Sequence, residues 1–161
     1  MGESFGLYKL GEDEKMLEIV DLANVACGFH ASDPCVMDLT VKNAKLNNVK
    51  VGAHPSFPDL QGFGRRAMSL TPDEVKQFVT YQIGALKGFL AVNQMKLSHV
   101  KPHGSLYGVA SRDEKICRAL VEAVSVFGVP LIGAPNTKFE IVCKEYNVPV
   151  SYTHLTLPTK A

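Results

Sequence analysis

The chain contains no tryptophan, and its 161 residues carry 17 basic against 16 acidic side chains, a net charge of +1. A balance this even, without a polybasic block or an aromatic–basic stripe, offers no footprint for nucleic acid or for an anionic membrane surface. No apolar run approaches the roughly 18–20 residues that a membrane span requires. Met1-Gly2-Glu3-Ser4-Phe5-Gly6 lacks the basic-then-apolar order of a secretory signal. Glycine at position six also breaks the myristoylation pattern. Cys27, Cys35, Cys117 and Cys143 form no Cys-x-x-Cys pair. Reduced thiols in a cytoplasmic protein are therefore expected, rather than a disulfide framework. The phosphate-cradling Gly-x-x-x-x-Gly-Lys-Ser/Thr loop and a Gly-x-Gly-x-x-Gly turn are both missing. So is the Gly-x-Ser-x-Gly elbow of serine hydrolases.

What is present suits one domain with a sizeable core: 46% of the residues are apolar and only 20% charged. Short apolar runs alternate with helical patterns. Strands are expected at about 21–26, 49–53, 97–101 and 131–134, with a fifth starting at 148–150. Residues 12–20 look like a short helix with an acidic start. Asp33-Pro34 reads as an N-cap followed by proline at the first helical position, with the helix running to about 47. Thr71-Pro72-Asp73-Glu74 is a capping box that opens a helix to about 92. Further helical patterns cover 105–110, 113–126 and 137–146. Strand–helix alternation of this kind predicts an α/β fold with a parallel sheet. Five strands are too few to close a β/α barrel, which takes about eight. The expectation is an incomplete domain over residues 1–150, followed by a non-native tail at 151–161. His154, in that tail, is given no role.

The chemistry is expected at strand ends. His30, His54 and His103 each follow a short apolar run and precede a loop and a helix. In parallel β/α folds the carboxyl ends of the strands form the rim where ligands bind. Gly28 lets the chain turn sharply before His30, and Pro55 keeps His54 extended. Lys101 and His103 are two apart, so on an extended strand they point the same way. A lysine in an apolar strand is costly unless it meets an anion. His99 shares that parity but lies deeper or at the strand start. Each histidine could instead be a satisfied structural residue, His30 as a cap for the next helix. Imidazoles gathered at one rim can move protons at neutral pH or hold a divalent metal. No His-x-x-x-His or Asp-Asp pair decides between these.

The segment 54–70 is long for a βα loop, and long loops are often functional. In it, Arg65 and Arg66 follow Gly62-Phe63-Gly64, a pattern that suits an anion clamp and equally a solvated surface pair. Asp59 and Gln61 could orient a substrate or cap a turn. Glu3 stands out only as a carboxylate among small, turn-prone neighbours.

Several blocks together closely resemble the LamB/YcsF family. They are Gly2-Glu-Ser-Phe-Gly6, Ala23-Asn-Val-Ala-Cys-Gly-Phe-His-Ala-Ser-Asp-Pro34, Val51-Gly-Ala-His-Pro-Ser-Phe-Pro-Asp-Leu-Gln-Gly-Phe-Gly-Arg-Arg66, Tyr81-Gln-Ile-Gly-Ala-Leu86 and His99-Val-Lys-Pro-His-Gly-Ser-Leu-Tyr107. The resemblance covers about residues 2–150. It implies a distorted β/α (TIM-like) barrel related to glycoside hydrolases and polysaccharide deacetylases. It implies ATP-dependent opening of 5-oxoproline to glutamate, together with two partner subunits, B and C. Relative to that family pattern the chain lacks a leading strand and the β/α units after residue 150. On this reading His30, His54, His103, Lys101 and Glu3 are the candidate catalytic residues. Arg65, Arg66, Asp59 and Gln61 are the candidate substrate-binding residues. ATP is the expected co-substrate and the metal stays open. A metal-dependent deacetylase or carbohydrate hydrolase and a non-catalytic scaffold are the rival expectations.

Overall fold

The computed structural model describes residues 1–152; the remainder of the expected tail, including His154, lies outside the described residues. Five parallel strands form one sheet in the order β1-β2-β3-β4-β5. They are β1 Leu22–Ala26, β2 Lys50–His54, β3 Leu97–Val100, β4 Leu131–Gly133 and β5 Val150–Tyr152. The helices are α1 Asp13–Leu17, α2 Pro34–Leu46, α3 Pro72–Val92, α4 Gly104–Ala110, α5 Glu114–Ser125 and α6 Lys138–Glu145. None is long and apolar enough to cross a membrane. Ser151 and Tyr152, past the expected boundary at 150, pair with Ile132 and Gly133.

Strand order follows chain order without reversal, which is how a β/α barrel wall is wound and not how a doubly wound sheet is. Right-handed crossovers then place every helix on one face. Accordingly α2, α3, α5 and α6 touch in turn to form a single layer. Alternate strand residues face that layer: Ala23, Val25, Val51, Ala53, Val100 and Leu131 are almost wholly buried. They meet Val41, Val79, Ile83, Leu86, Leu120 and Val124 from the helices in one core. Each Val, Leu or Ile among them contributes roughly 1.5–3 kcal/mol on burial.

Local chemistry sets the element ends. The Asp33 carboxylate accepts from the N–H groups of Cys35 and Val36 and starts α2. Thr71 and Glu74 make both halves of the capping box that opens α3. Helix α1 is shorter than its acidic pattern predicts, because only Leu17 reaches the core and no side chain caps its start. β3 stops at Val100 because Pro102 has no N–H for the ladder. The backbone nevertheless stays beside β2: Lys101 N–H donates to Ala53 O (2.9 Å) and His103 N–H to Pro55 O (2.8 Å).

The face opposite the helices carries polar groups. His99, 3% exposed, donates from Nε2 to Asn24 Oδ1 (2.8 Å) and accepts at Nδ1 from Ser98 (2.6 Å). Burial holds its imidazole below the usual range. It is a satisfied histidine in mid-sheet, away from the rim. Cys27, Cys35, Cys117 and Cys143 are not disulfide-bonded. Burial pushes the thiols of Cys27, Cys117 and Cys143 up to about 12, so they pack as apolar groups.

Candidate functional site at the carboxyl rim of the sheet

Three consecutive strands deliver the three histidines to one place. His30 follows β1 by four residues, His54 is the last residue of β2, and His103 follows β3 by three. The rings of His30 and His103 stack with centroids 3.8 Å apart and planes 9° apart. His54 meets both edge-on, at 4.8 Å from His103 and 5.6 Å from His30. His30 is fully buried and His103 nearly so. Burial pushes both His54 and His103 below the ordinary imidazole range.

Each ring is fixed by a neighbour. His30 Nδ1 lies 3.0 Å from Ser56 Oγ. Ser56 spends its own proton on Phe57 O (2.9 Å), so His30 donates from Nδ1 and its Nε2 presents a lone pair. That atom is buried without a hydrogen-bond partner among the described residues. Glu3 Oε1 stands 3.7 Å from it, beyond hydrogen-bond distance. Ser56 is held in turn by Gln82, fully buried on α3. The Gln82 amide accepts from Ser56 N–H and donates to Ser56 O, both at 2.9 Å. His54 donates from Nδ1 to Lys101 O (2.5 Å), and its Nε2 lies 3.1 Å from His103 Nδ1. His103 donates from Nε2 to Phe63 O (2.8 Å).

The loop between β2 and α3 is therefore part of the centre. Phe63 adopts a left-handed backbone (φ 54°), which is uncommon for a residue with a side chain and is tolerated where surroundings enforce it. Gly64 follows at φ 65°, and its carbonyl accepts from Ser105 N–H (2.8 Å). A Cβ on Gly104 would fall 2.5 Å from that same oxygen. The loop and the start of α4 thus approach to backbone contact, which only glycine permits.

Beside the rings lies a cavity of about 310 Å³ lined by His54, Arg65, Lys101, Pro102, His103, Gly104 and Tyr107. It has two cationic walls and no carboxylate. Neither Arg65 nor Lys101 enters an ion pair among the described residues. Arg66 is placed differently: its guanidinium grips the buried Asp59 carboxylate, with Nε–Oδ1 at 2.8 Å and a second, closer contact from its terminal nitrogen. That guanidinium holds the Asp59 carboxyl down to about 2. Asp59 also accepts from Gly62 N–H (2.9 Å), so the Asp59–Arg66 pair shapes the loop and does not line the cavity. Gln61 is exposed and does not line the cavity either. Ser56, Gln82, Phe63 and Tyr107 join the site although nothing in the sequence reading singles them out. The available signal is Gln82, an amide on an otherwise apolar helix face.

Glu3, His30 and His103 each offer a ligand atom within 4.8 Å of the others. A divalent cation does not fit them as they stand. Metal–nitrogen bonds of about 2.1 Å lie in the plane of the imidazole. Two rings stacked 9° from parallel cannot both aim a lone pair at one ion. Both nitrogens of His103 are also already engaged.

Fold and site together define an α/β protein with a buried acid–base cluster at the carboxyl rim of a singly wound parallel sheet. Residues 1–155 match the model of the LamB/YcsF family. The chain belongs to this family. It is 47% identical over 154 residues to the 5-oxoprolinase A subunit of Pyrococcus abyssi, covering 94% of this chain and 60% of that protein. It is 46% identical over 148 residues to the lactam utilization protein lamB of Emericella nidulans, covering 92% and 58%. The crystal structure of the lactam utilization protein from Thermus thermophilus superposes with a TM-score of 0.93 at 46% identity, covering 94% of this chain and 62% of that one. The chain thus spans about 60% of the length of these relatives.

Proposed function

We propose that this protein takes part in the ATP-dependent hydrolysis of 5-oxo-L-proline to L-glutamate, as the A component of a cytoplasmic enzyme completed by partner subunits B and C. The observation that carries the reading is the convergence of His54, His103 and two cations, neither of them ion-paired among the described residues, on one small cavity, with His30 stacked behind His103. The names of the relatives, lactam utilization protein and 5-oxoprolinase A subunit, support the substrate class and the existence of partner subunits.

The lactam is an unactivated amide, so water alone attacks it slowly. Transfer of a phosphoryl group from ATP to the lactam oxygen, with loss of the ring N–H proton, activates the carbon. Water then adds to that carbon, the C–N bond breaks, and the resulting acyl phosphate is hydrolysed by a second water to glutamate and phosphate. Lys101 and Arg65 balance the negative charge that gathers on carboxylate and phosphate oxygens. His30 stacks on His103 and holds that ring in place, and the proton that water gives up returns to the His54–His103 pair once the pair has protonated nitrogen. His54 and His103 supply protons at the reacting nitrogen. Arg66, the other candidate for charge balance, acts through the shape of the loop.

Assembled with its partner subunits and given 5-oxoproline and ATP, the protein should release glutamate. His54→Ala or His103→Ala should each lower that rate by about 10²-fold or more. No glutamate above what the partner subunits make alone would defeat the reading.

A further inference from the structure

The contacts of His54 and His103 demand more protons than two neutral rings hold. A carbonyl oxygen only accepts, so the contact to Lys101 O requires a proton on His54 Nδ1. The contact to Phe63 O likewise requires one on His103 Nε2. The inter-ring contact at 3.1 Å, His54 Nε2 to His103 Nδ1, requires a third. Two neutral imidazoles bring two. Every neutral arrangement of the pair therefore sets two acceptors against each other at one of the three contacts. We propose that His54 and His103 bind one proton between them and act as a single acid, with the Lys101 and Phe63 carbonyls fixing which ring nitrogens face each other.

Charges of both signs surround the pair. Glu3 stands beside the stacked His30 and His103 rings, its carboxylate within 4.8 Å of a ring nitrogen of each, so a carboxylate balances charge on the pair. Lys101, Arg65 and Tyr107 face the pair from the cavity side. The two cations, with the Met1 ammonium acting on His54, oppose positive charge on the pair, and the Glu3 carboxylate offsets them. Burial works to expel the proton and three hydrogen bonds work to retain it. This deepens the hydrolysis reading and rests on it for the next step. As the C–N bond breaks, its electron pair stays on nitrogen, and nitrogen takes the bridging proton. The pair becomes neutral with opposed lone pairs, a state that reclaims a proton from solvent. The strained Phe63 and the Gly64–Gly104 contact have a function on this account: they aim a backbone oxygen at His103.

The test is a long-range proton–nitrogen NMR correlation on protein labelled with ¹⁵N-histidine, titrated between about pH 5 and pH 8. The expected spectrum holds one ring proton correlated with nitrogens of both His54 and His103. Both rings shift together in a single step that sums to one proton. His54→Gln should abolish that signal and leave His103 titrating alone. Should that variant fail to fold, the wild-type titration decides by itself. Two rings neutral throughout, or two independent steps, would overturn the proposal. The spectrum is read without substrate. A bridging proton in an inactive complex would therefore sink the hydrolysis reading and leave the shared proton standing.

Discussion

Replacing Gly64 by alanine isolates the close approach on which the centre depends. Gly64 has φ 65°, a backbone region that costs a residue with a Cβ roughly 1–2 kcal/mol. An added Cβ would lie 2.8 Å from His103 Cδ2, 2.9 Å from His30 Cβ and 3.3 Å from Ser56 Cβ. Those three belong to buried residues of the centre, so none can swing into solvent. Overpacking of this kind typically costs about 1–3 kcal/mol. Gly128 supplies the control, since it has the same φ of 65° and open space where its Cβ would sit. Gly128→Ala should therefore cost only the backbone part. Gly64→Ala should cost about 1–3 kcal/mol more, because His103, His30 or the loop must move. Urea unfolding measures both, and the midpoint should shift at unchanged slope. Equal losses in the two variants, within about 0.5 kcal/mol, would show that the loop is not pressed against the histidines, and the described geometry would fail.

Other consequences follow from single contacts. Gln82→Leu keeps the shape of the buried side chain but strands the N–H and C=O of Ser56. At roughly 1–3 kcal/mol per unsatisfied buried group, it should destabilise by about 2–6 kcal/mol in denaturant melts; a loss below about 0.5 kcal/mol would show that Ser56 does not depend on it. The Asp59 carboxyl sits near 2 in the folded chain against about 3.9 when unfolded. Its contribution is then fully present above the unfolded value and fades as pH falls toward the folded one. The stability gap between wild type and Asp59→Asn should hold near neutral pH and narrow below about pH 4; a gap independent of pH would remove the ion pair from the account.

Much of this arrangement is visible in the chain before any coordinates. Thr71 with Glu74 and Asp33 with Pro34 carry their own start signals, because capping acts over three or four residues. His54 at the end of β2 is legible for the same reason: Pro55 ends the run next door. Other features depend on atoms that sequence does not distinguish. The Phe63 carbonyl is backbone, and nothing in its residue type announces that it meets His103. Arg65 and Arg66 are neighbours of one type, yet only Arg65 lines the cavity. The choice is made by Asp59, seven residues upstream of Arg66, whose burial demands a partner. Lys101 reads from the sequence as a strand residue; it stands just beyond β3, and its carbonyl as well as its ammonium serves the site.

The most direct test compares glutamate release by the assembled enzyme carrying His54→Ala, His103→Ala and both together. If the two rings work as one acid, each single change removes the same function, so the double variant should be no slower than the slower single variant by more than a few-fold. Losses that multiply, or single variants that stay within a few-fold of wild type, would contradict a reaction centre built on that pair.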